Sequence, residues 1–325
     1  MPIRLLKGDC REVLRTLPAE SVHCVVTSPP YFGLRDYGVA GQIGLETTPE
    51  AFTAELVKVF AELRRVLRKD GTAWLNLGDS YSALGARSNN NGSGATGLKR
   101  DGRDEESRLR SVAKTKTLGM SLPPIDTGLK PKDLLGIPWR VAFALQADGW
   151  YLRQDIIWSK PNPMPESVRD RCTKAHEYLF LLSKSERYYY DADAIAEQSV
   201  IGVGAVRNIT PREKGAASTR NDGDRFGVVN DGTRNKRSVW EITTAPYAEA
   251  HFATFPPALI EPCILAGCPK GGTVLDPFGG AGTTGLVADR LGRNAILIEL
   301  NPEYAAMAER RIRNDCPLFA EVEAT

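Results

Sequence analysis

The chain alternates short apolar runs with amphipathic segments, as α/β proteins do. Apolar residues recur at helical spacing from Ala51 to Leu67, which predicts a core-packing helix that Gly71 would end. Thr72 to Leu77 and Leu152 to Trp158 predict strands, and Ile137 to Ala147 predicts another helix. This alternation of strands and helices favours a doubly wound sheet with helices on both faces.

One apolar strand opens into a glycine-rich loop. Val274-Leu275-Asp276 runs into Pro277-Phe278-Gly279-Gly280-Ala281-Gly282-Thr283-Thr284-Gly285. Glycines let the backbone approach a ligand, and Thr283 is expected to cap a helix whose amino end favours polar or anionic groups. By itself the loop also suits a NAD enzyme or a plain glycine turn.

An acidic residue follows the next strand. Asn294 to Ile298 is apolar and ends in Glu299, 23 residues after Asp276. In dinucleotide-binding folds an acid at the tip of the second strand binds the ribose hydroxyls. A solvated acid at a strand end is the alternative interpretation.

A second strand, Val22 to Val26, leads into Thr27-Ser28-Pro29-Pro30-Tyr31. Two prolines fix φ at consecutive positions and remove two backbone donors, so carbonyls and the Ser28 hydroxyl are held with little freedom. An amino group with two N–H donors needs two acceptors, which Ser28 Oγ and the Pro29 carbonyl supply. Tyr31 offers a ring for a flat substrate to stack on. Taken alone, the motif also suits a proline turn that closes a buried strand.

Together these motifs resemble those of S-adenosylmethionine-dependent DNA amino-methyltransferases of the beta group, in which the catalytic motif precedes the cofactor motif. The resemblance covers most of the chain outside two polar insertions. It also includes Gly8-Asp9-Cys10, Trp158-Ser159-Lys160-Pro161-Asn162-Pro163-Met164-Pro165, the stretch from His176 to Lys184, and His251-Phe252-Ala253-Thr254-Phe255-Pro256. It implies an α/β fold: a doubly wound, Rossmann-like methyltransferase sheet that is circularly permuted, with polar loop insertions for DNA recognition.

The order of the elements supports the permutation independently. If residues 250–325 are placed before residue 1, the elements form one continuous half of a doubly wound α/β fold. From residue 1 this half continues through the strand Ile3 to Leu6, then Asp9, a short helix and the strand that leads to Ser28. Ligands of such sheets bind outside the carboxyl ends of the strands at the switch point, so both motifs are expected in one cleft. Residues 1–82 would form the catalytic half, 131–200 the rest of its sheet, and 249–325 the cofactor-binding half.

Two polar segments interrupt this pattern. Residues 83–130 are expected to form a mobile insertion, with seven basic and four acidic residues between Leu98 and Leu118. Residues 201–248, between a predicted Tyr188–Tyr190 strand and His251, match the place of the family's target-recognition region. Residues 201–240 contain eight Lys or Arg against four Asp or Glu. Three basic residues near Trp240 suit phosphate contact, although a solvated loop is the alternative: Arg234, Lys236 and Arg237.

The resemblance implies roles for individual residues. Ser28, Pro29, Pro30 and Tyr31 would act on a base turned out of the duplex, with direct transfer of the methyl group. Asp9 would contact the cofactor adenine, Glu299 its ribose, and Asp276 with the glycine loop its amino acid end. Lys160 and Asn162 would contact the DNA. The full expected cofactor set is Asp9, Cys10, Thr27, Phe255, Asp276, Pro277, Phe278, Gly280, Gly282, Thr283, Thr284 and Glu299.

The first motif position bears on the target base. Serine resembles the cytosine-N4 enzymes, whereas adenine-N6 enzymes more often carry aspartate. A cytosine-C5 enzyme needs a thiolate nucleophile, but Cys263 lies in the apolar stretch Pro257 to Gly267 and is interpreted as packing. A NAD oxidoreductase, an RNA or protein amino-methyltransferase, and a non-catalytic DNA-binding subunit of a restriction system are the remaining alternatives.

Composition narrows the remaining possibilities. A chain of 325 residues that is 42% hydrophobic suffices for one large α/β domain with additions. A net charge of +2 restricts any DNA-binding surface to local patches. Six cysteines without C-x-x-C spacing and three histidines argue against a disulfide framework or a metal site.

No long apolar run exists, so a cytoplasmic protein without membrane contact is expected. The implied partners are double-stranded DNA and a cognate restriction endonuclease, with a monomer and a homodimer both open.

Overall fold

The computed structural model describes residues 2–82, 127–199, 232–245, 255–315 and 321–324. Most of the predicted 83–130 insertion, most of the 201–248 region and residues 251–254 therefore lie outside the described residues. The described helices are α1 (Cys10–Thr16), α2 (Pro49–Val66), α3 (Ile137–Ala147), α4 (Pro257–Gly267), α5 (Thr283–Arg290) and α6 (Pro302–Asp315). The described strands are β1 (Pro2–Lys7), β2 (Val22–Thr27), β3 (Leu67–Leu77), β4 (Tyr151–Ser159), β5 (His176–Ser183), β6 (Glu197–Gln198), β7 (Thr233–Arg234), β8 (Val239–Glu241), β9 (Thr273–Asp276), β10 (Asn294–Glu299) and β11 (Glu321–Ala324).

Nine of these strands form one sheet in the order β11-β1-β10-β9-β2-β3-β5-β4-β8, and β6 pairs separately with β7. All neighbours in the large sheet are parallel except β5, which is antiparallel to β3 and β4. The carboxyl ends of β1, β2, β3, β4, β9 and β10 therefore lie at one edge of the sheet, together with the start of β5.

The strand order confirms the predicted doubly wound fold and its permuted connectivity. β9 and β10, from the end of the chain, lie between β1 and β2, from its beginning, with Lys7 opposite Glu299 and Cys24 opposite Val274. In the permuted order, strands are added in one direction from β9 through β10 to β1, and in the opposite direction from β2 to β3. The boundary between β9 and β2 is therefore the switch point where ligands of such folds bind. The structure adds β11, which pairs with β1 and was not predicted.

Helices cover the sheet on both faces. The predicted apolar stripe of α2 packs in the core with α1 and α3, and its Phe52, Leu56 and Phe60 are fully buried. The helices α4, α5 and α6 pack on the other face. Burying each such side chain stabilises the fold by about 1.5–3 kcal/mol.

Gly71 does not end the helix, so that prediction was wrong. α2 ends at Val66 and β3 begins at Leu67, with a register shift against β2 between Val22 and Cys24. A Cβ atom at Gly71 would lie 2.5 Å from Leu67 Cγ and 3.0 Å from the His23 carbonyl oxygen. The glycine therefore permits close packing at an irregular point of the strand.

The predicted strand at Tyr188–Tyr190 was also wrong. These residues have no regular secondary structure, although the Tyr189 N–H donates to the Asp70 carbonyl. The Tyr190 ring stacks on Trp74 at a centroid distance of 6.4 Å. Three consecutive aromatic residues are typical of a strand, and the prediction was based on this. In the structure, the contacts of their rings determine the course of the backbone instead. α3 has its predicted limits, and β4 extends one residue beyond the prediction at each end.

Candidate active site

The Ser28-Pro29-Pro30-Tyr31 motif follows β2 at the edge where the parallel strands end. β2 lies between β9 and β3, so the motif is next to the start of the glycine loop on one side and Gly78 on the other. The following loop packs back on it, with the Gly33 N–H donating to the Gly44 carbonyl at 2.8 Å. The two predicted motifs therefore meet in one site, as expected.

Tyr31 is held by contacts with β3 and β5. Its hydroxyl lies 2.6 Å from Glu177 Oε2 and 3.3 Å from Asn76 Oδ1. A Cβ atom at Gly78 would lie 2.5 Å from Tyr31 Cε2, so only glycine leaves room for the ring. Burial is the largest cause that raises the pKa of Tyr31 well above its usual value, and the Glu177 carboxylate adds to the rise. The phenol is therefore neutral.

Asp276 connects the two motifs through buried hydrogen bonds. Thr27 Oγ1 donates to Oδ1 at 2.7 Å, Thr284 Oγ1 donates to Oδ2 at 2.6 Å, and the Phe278 N–H donates to Oδ1 at 3.1 Å. Burial raises the pKa of Asp276 to about 6, against the effect of these donors. The carboxyl joins the ends of β9 and β2 to the start of α5.

The glycine loop after Asp276 follows the predicted path, with one correction. The helix α5 begins at Thr283, and its N-cap is Gly282 (φ 78°) without a side-chain hydrogen bond, so the prediction that Thr283 caps the helix was wrong. A Cβ atom at Gly282 would lie 2.9 Å from Ala308 Cβ, so packing against α6 also requires glycine there. Thr283 Oγ1 instead accepts a hydrogen bond from Arg311 at 2.9 Å.

Glu299 lies beside this loop at the end of β10. Its Oε2 accepts from the Gly280 N–H at 2.7 Å and its Oε1 from the Asn301 N–H at 2.8 Å. Each oxygen has a further lone pair, which suits two adjacent hydroxyl groups. Burial raises the pKa of Glu299. Among the described residues, a Cβ atom at Gly280 would meet only the Phe278 carbonyl, 3.8 Å away, which leaves the loop backbone accessible to a ligand on that side.

Two tyrosines near Glu299 were not predicted as site residues. The rings of Tyr37 and Tyr304 meet edge to face at 6.4 Å. Burial is the main cause that raises the pKa of both phenols, to about 12 for Tyr304, and the Glu299 carboxylate contributes. The sequence signal was weak, because each tyrosine stands alone in a polar segment.

Asp9, Cys10 and Phe255 complete the expected cofactor set. Asp9 caps α1 by accepting from the Arg11 N–H, and its carboxylate pairs with the Arg11 guanidinium at 2.5 Å, which lowers its pKa. The Cys10 side chain is buried in the core, and burial raises the pKa of its thiol to about 12. Phe255 packs on the opposite face of the sheet. The Asp9 side chain lies at the site edge and is partly exposed, and that of Phe255 is also partly exposed.

Lys160 and Asn162 follow β4 at the same edge. Lys160 Nζ forms an ion pair with Glu177 and lies 4.2 Å from the centre of the Trp158 ring. Asn162 Oδ1 accepts from the Thr244 N–H at 2.9 Å, and its Nδ2 donates to the Thr244 carbonyl at 3.4 Å. Lys160 and Tyr31 therefore contact the two oxygens of the same Glu177 carboxylate, and Asn162 fixes the segment after β8. Glu177 was missed because its partners come from other strands.

The predicted basic cluster forms around one acid. Arg234, Lys236 and Arg237 lie 3.5, 3.8 and 2.9 Å from Glu197 oxygens. Lys236 Nζ is also 5.0 Å from the centre of the Trp240 ring. This cluster precedes β8 in the sequence. Because β8 runs parallel to β4, the cluster lies toward the amino end of β4. The structure brings the three residues together but not next to the catalytic motif.

Cys263 packs as predicted. It is fully buried in α4, where its thiol contacts the Leu259 carbonyl, and burial raises the pKa of the thiol.

Asp79 accepts hydrogen bonds from the Ser80 and Ile137 N–H groups, which stabilises the start of α3. Within the described ranges, five cysteines are free thiols and no group of three or more acidic, histidine or cysteine side chains could hold a metal.

Comparison with known proteins identifies the family. The sequence model of the DNA methylase family, N6_N4_Mtase, matches residues 22–310. The chain belongs to this family. This DNA methylase is 47% identical over 311 residues to the Type II methyltransferase M.Cfr9I of Citrobacter freundii, covering 96% of this chain and 88% of that relative. It is 47% identical over 309 residues to M.SmaI of Serratia marcescens, covering 95% and 90%.

Solved structures support the fold of the methylase. The PvuII DNA methyltransferase, described as cytosine-N4-specific, aligns with a TM-score of 0.59 and 19% identity over 99% of this chain and 95% of that chain. TTHA0409 of Thermus thermophilus, in complex with S-adenosyl-L-methionine, aligns with a TM-score of 0.58 and 24% identity over 99% of each chain. The predicted family is confirmed, and its members use S-adenosylmethionine as the cofactor.

No helix in the described part of the methylase is long and apolar enough to cross a bilayer.

Proposed function

We propose that this methylase transfers a methyl group from S-adenosylmethionine to the exocyclic N4 amino group of cytosine in double-stranded DNA. The observation that carries the proposal is the hydrogen bond of 2.7 Å between Thr27 and Asp276, which places the serine-containing motif directly beside the glycine loop. Serine at the first motif position favours cytosine, and the cytosine-N4-specific PvuII enzyme shares the fold. Adenine N6 is the second candidate, because the same acceptors serve either amino group.

The target base leaves the duplex, because its amino group cannot reach the methyl donor inside the base stack. Ser28 Oγ and the Pro29 carbonyl accept the two amino hydrogens, and the Tyr31 ring stacks on the base. The lone pair of the amino nitrogen then faces the cofactor side of the site. Such positioning of two reactants contributes about 7–11 kcal/mol to rate acceleration in favourable cases. The Tyr31 phenol, being neutral, places no charge under the base.

The cofactor supplies an electrophilic methyl group when bound. Glu299 binds its ribose hydroxyls through the remaining lone pairs of both carboxylate oxygens, and the loop at Gly280 approaches its amino acid end. Asp9 contacts the adenine. Asp276 acts through the protein, because its three hydrogen bonds fix the loop.

DNA is proposed to lie across the edge that carries the motif. Asn162 and Thr244 hold the segment after β8 next to this edge. Arg234, Lys236 and Arg237 would contact phosphates farther from the target base, with part of their charge balanced by Glu197. Because the relatives are Type II methyltransferases, a cognate restriction endonuclease is proposed as the functional partner.

Mass spectrometry of nucleosides tests the assignment. Unmethylated duplex DNA is incubated with the methylase and S-adenosylmethionine, then digested, with Ser28→Ala as the matched inactive variant. We expect N4-methylcytosine from the wild type and very little from the variant. If N6-methyladenine is found instead, the mechanism is retained and the assignment of cytosine as the target base is overturned. No methylated nucleoside, together with measured cofactor binding, would overturn the DNA substrate.

A further inference from the structure

The loop that follows the catalytic motif, residues 33–44, returns to the motif where it ends. The Gly33 N–H donates to the Gly44 carbonyl at 2.8 Å, which closes the loop at its base. Gly44 has a φ of 105°, and a Cβ atom there would lie 3.2 Å from the Tyr31 carbonyl oxygen and 3.3 Å from Pro30 Cβ. The base of the loop is therefore packed directly on the catalytic motif.

The tip of this loop is held together by hydrogen bonds of its own. The Gln42 side chain accepts from the Tyr37 N–H at 2.7 Å and donates to the Arg35 carbonyl at 3.0 Å. The Gln42 N–H donates to the Val39 carbonyl at 3.3 Å. These contacts join the two sides of the tip and hold residues 35–42 as one unit.

The tip contacts the cofactor side of the site at two places. The Tyr37 ring meets the Tyr304 ring edge to face at 6.4 Å, and Tyr304 lies on α6, which begins three residues after Glu299. Four residues after Tyr37, the Gly41 carbonyl accepts from Arg11 Nη2 at 2.7 Å. Four residues span up to about 14 Å, which is enough to cross two neighbouring strands about 4.8 Å apart.

Arg11 is the residue that attaches the loop to the end of β1. Its Nη2 pairs with Asp9 at 2.5 Å and also donates to Gly41, while its Nη1 donates to Glu55 on α2 at 3.1 Å. Because β1 and β10 are neighbouring strands, the loop crosses the ends of both. These are the two ends where Asp9 and Glu299 are expected to hold the cofactor.

We propose that Arg11 is a positioning residue: by holding Gly41, it keeps the loop of residues 33–44 closed over bound S-adenosylmethionine and slows release of the cofactor. This inference rests on the proposed position of the cofactor between Asp9 and Glu299. Arg11 acts through the loop and does not itself need to touch the cofactor. A guanidinium suits this task, because its rigid fork of donors reaches acceptors on three different elements at once.

A role in stability alone explains these contacts less well. The side chains of Arg11, Asp9 and Glu55 are 29%, 26% and 23% exposed, and ion pairs so open to water contribute little to stability. Asp9 already caps α1 by accepting from the Arg11 backbone N–H, which needs no arginine side chain. The contact with Gly41 instead joins α1 to a loop 30 residues away in the sequence.

The direct test is Arg11→Met, which keeps an unbranched apolar stem and removes every side-chain donor. We expect the Kd for S-adenosylmethionine, measured by calorimetric titration, to rise about 10-fold, the effect of one lost charge-assisted hydrogen bond. Hydrogen exchange of the amides in residues 33–44 of the cofactor complex should become faster by a similar factor. At saturating cofactor kcat should fall less than about 3-fold, because the loss is one of binding.

Gly41→Ala provides a second variant, because it leaves the pair of Arg11 and Asp9 in place. Gly41 has a φ of 83°, which strains any side chain, so alanine disfavours the turn that presents the carbonyl to Arg11. We expect the Kd for S-adenosylmethionine to rise about 5-fold, with faster exchange in the same loop. This variant also decides the proposal if Arg11→Met fails to fold.

Arg15→Met is the matched control, since Arg15 lies one turn later on the same helix and pairs with Glu12 at an exposed position. It should have the wild-type Kd and wild-type exchange. A wild-type Kd in Arg11→Met or Gly41→Ala overturns the proposal. So does a weaker Kd in Arg11→Met with unchanged exchange in residues 33–44, since Arg11 then acts through Asp9 alone. Failure of the proposed cofactor position appears instead as a wild-type Kd in Glu299→Ala.

Discussion

Replacing Asp276 with alanine is expected to weaken S-adenosylmethionine binding by at least about 100-fold. The carboxyl is 1% exposed and accepts hydrogen bonds from Thr27, Thr284 and the Phe278 N–H. Alanine leaves these donors buried without an acceptor, and each such loss costs about 1–3 kcal/mol. The glycine loop and the end of β2 then lose the contact that joins them, and the cofactor site loses its shape.

Asp276→Asn separates this loss from general unfolding, because its amide retains the size of the carboxyl and one accepting oxygen. Calorimetric titration with S-adenosylmethionine gives the Kd, and denaturant unfolding gives the stability of each variant. We expect Asn to retain more affinity than Ala while both remain folded at low temperature. Wild-type affinity in a folded Asp276→Ala protein would contradict the role assigned to Asp276.

The same residue predicts a pH dependence of stability. Its pKa is about 6 in the folded protein against an ordinary value of 3.8. As pH rises from 3.8 to 6 the unfolded chain releases this proton first, so the folded state binds more protons and the free energy of unfolding falls. The difference between the two pKa values corresponds to about 3 kcal/mol. Below pH 3.8 both states are protonated and the contribution is fully present.

Asp276→Asn lacks this titration and isolates the effect. Urea unfolding at about pH 4 and pH 7 gives the free energy of unfolding for both proteins. On going to pH 7, the wild type should lose about 2 kcal/mol relative to the variant, because at pH 4 a part of the contribution is already lost. Other titrating groups, including Glu299, are common to both proteins and cancel in the comparison. A wild-type to variant difference that stays constant with pH would contradict the raised pKa of Asp276.

The fold and the meeting of the two motifs could be predicted from the sequence because they depend on repeating patterns. Apolar periodicity located α2, α3 and β4, and the rule that ligands bind at strand carboxyl ends placed Ser28 beside the glycine loop. These features follow from burial and sheet topology, which many residues determine together. A single ambiguous residue changes them little.

Particular partners could not be predicted in this way. Glu177 and Tyr31 are 146 residues apart, and nothing near Glu177 in the sequence distinguishes it from a solvated acid. Gly71 fits a helix end by composition, but a Cβ atom there would lie 3.0 Å from the His23 carbonyl oxygen on β2, and one at Gly282 would lie 2.9 Å from Ala308 Cβ on α6, so close packing against other elements decides both positions. Such choices depend on distances between elements that are set only once the sheet has formed.

Replacing Ser28 with alanine is expected to lower kcat by about 10²- to 10³-fold, comparable to the loss of one preorganised hydrogen-bonding group in other active sites. The variant retains the prolines and Tyr31, so the base can still enter, but one amino hydrogen has no acceptor and the nitrogen lone pair is no longer aimed at the methyl group.

The Kd for S-adenosylmethionine should remain unchanged in Ser28→Ala, because the glycine loop is held by Asp276 and Thr27 and not by Ser28. Ser21→Ala is the matched control, since Ser21 precedes the same strand at the opposite edge of the sheet, where its hydroxyl donates to the nearby Pro18 carbonyl. Single-turnover methylation at saturating cofactor measures the chemical step in both variants. If Ser28→Ala weakened cofactor binding and left the single-turnover rate intact, Ser28 would belong to the cofactor site, and the target amino group would need a different acceptor.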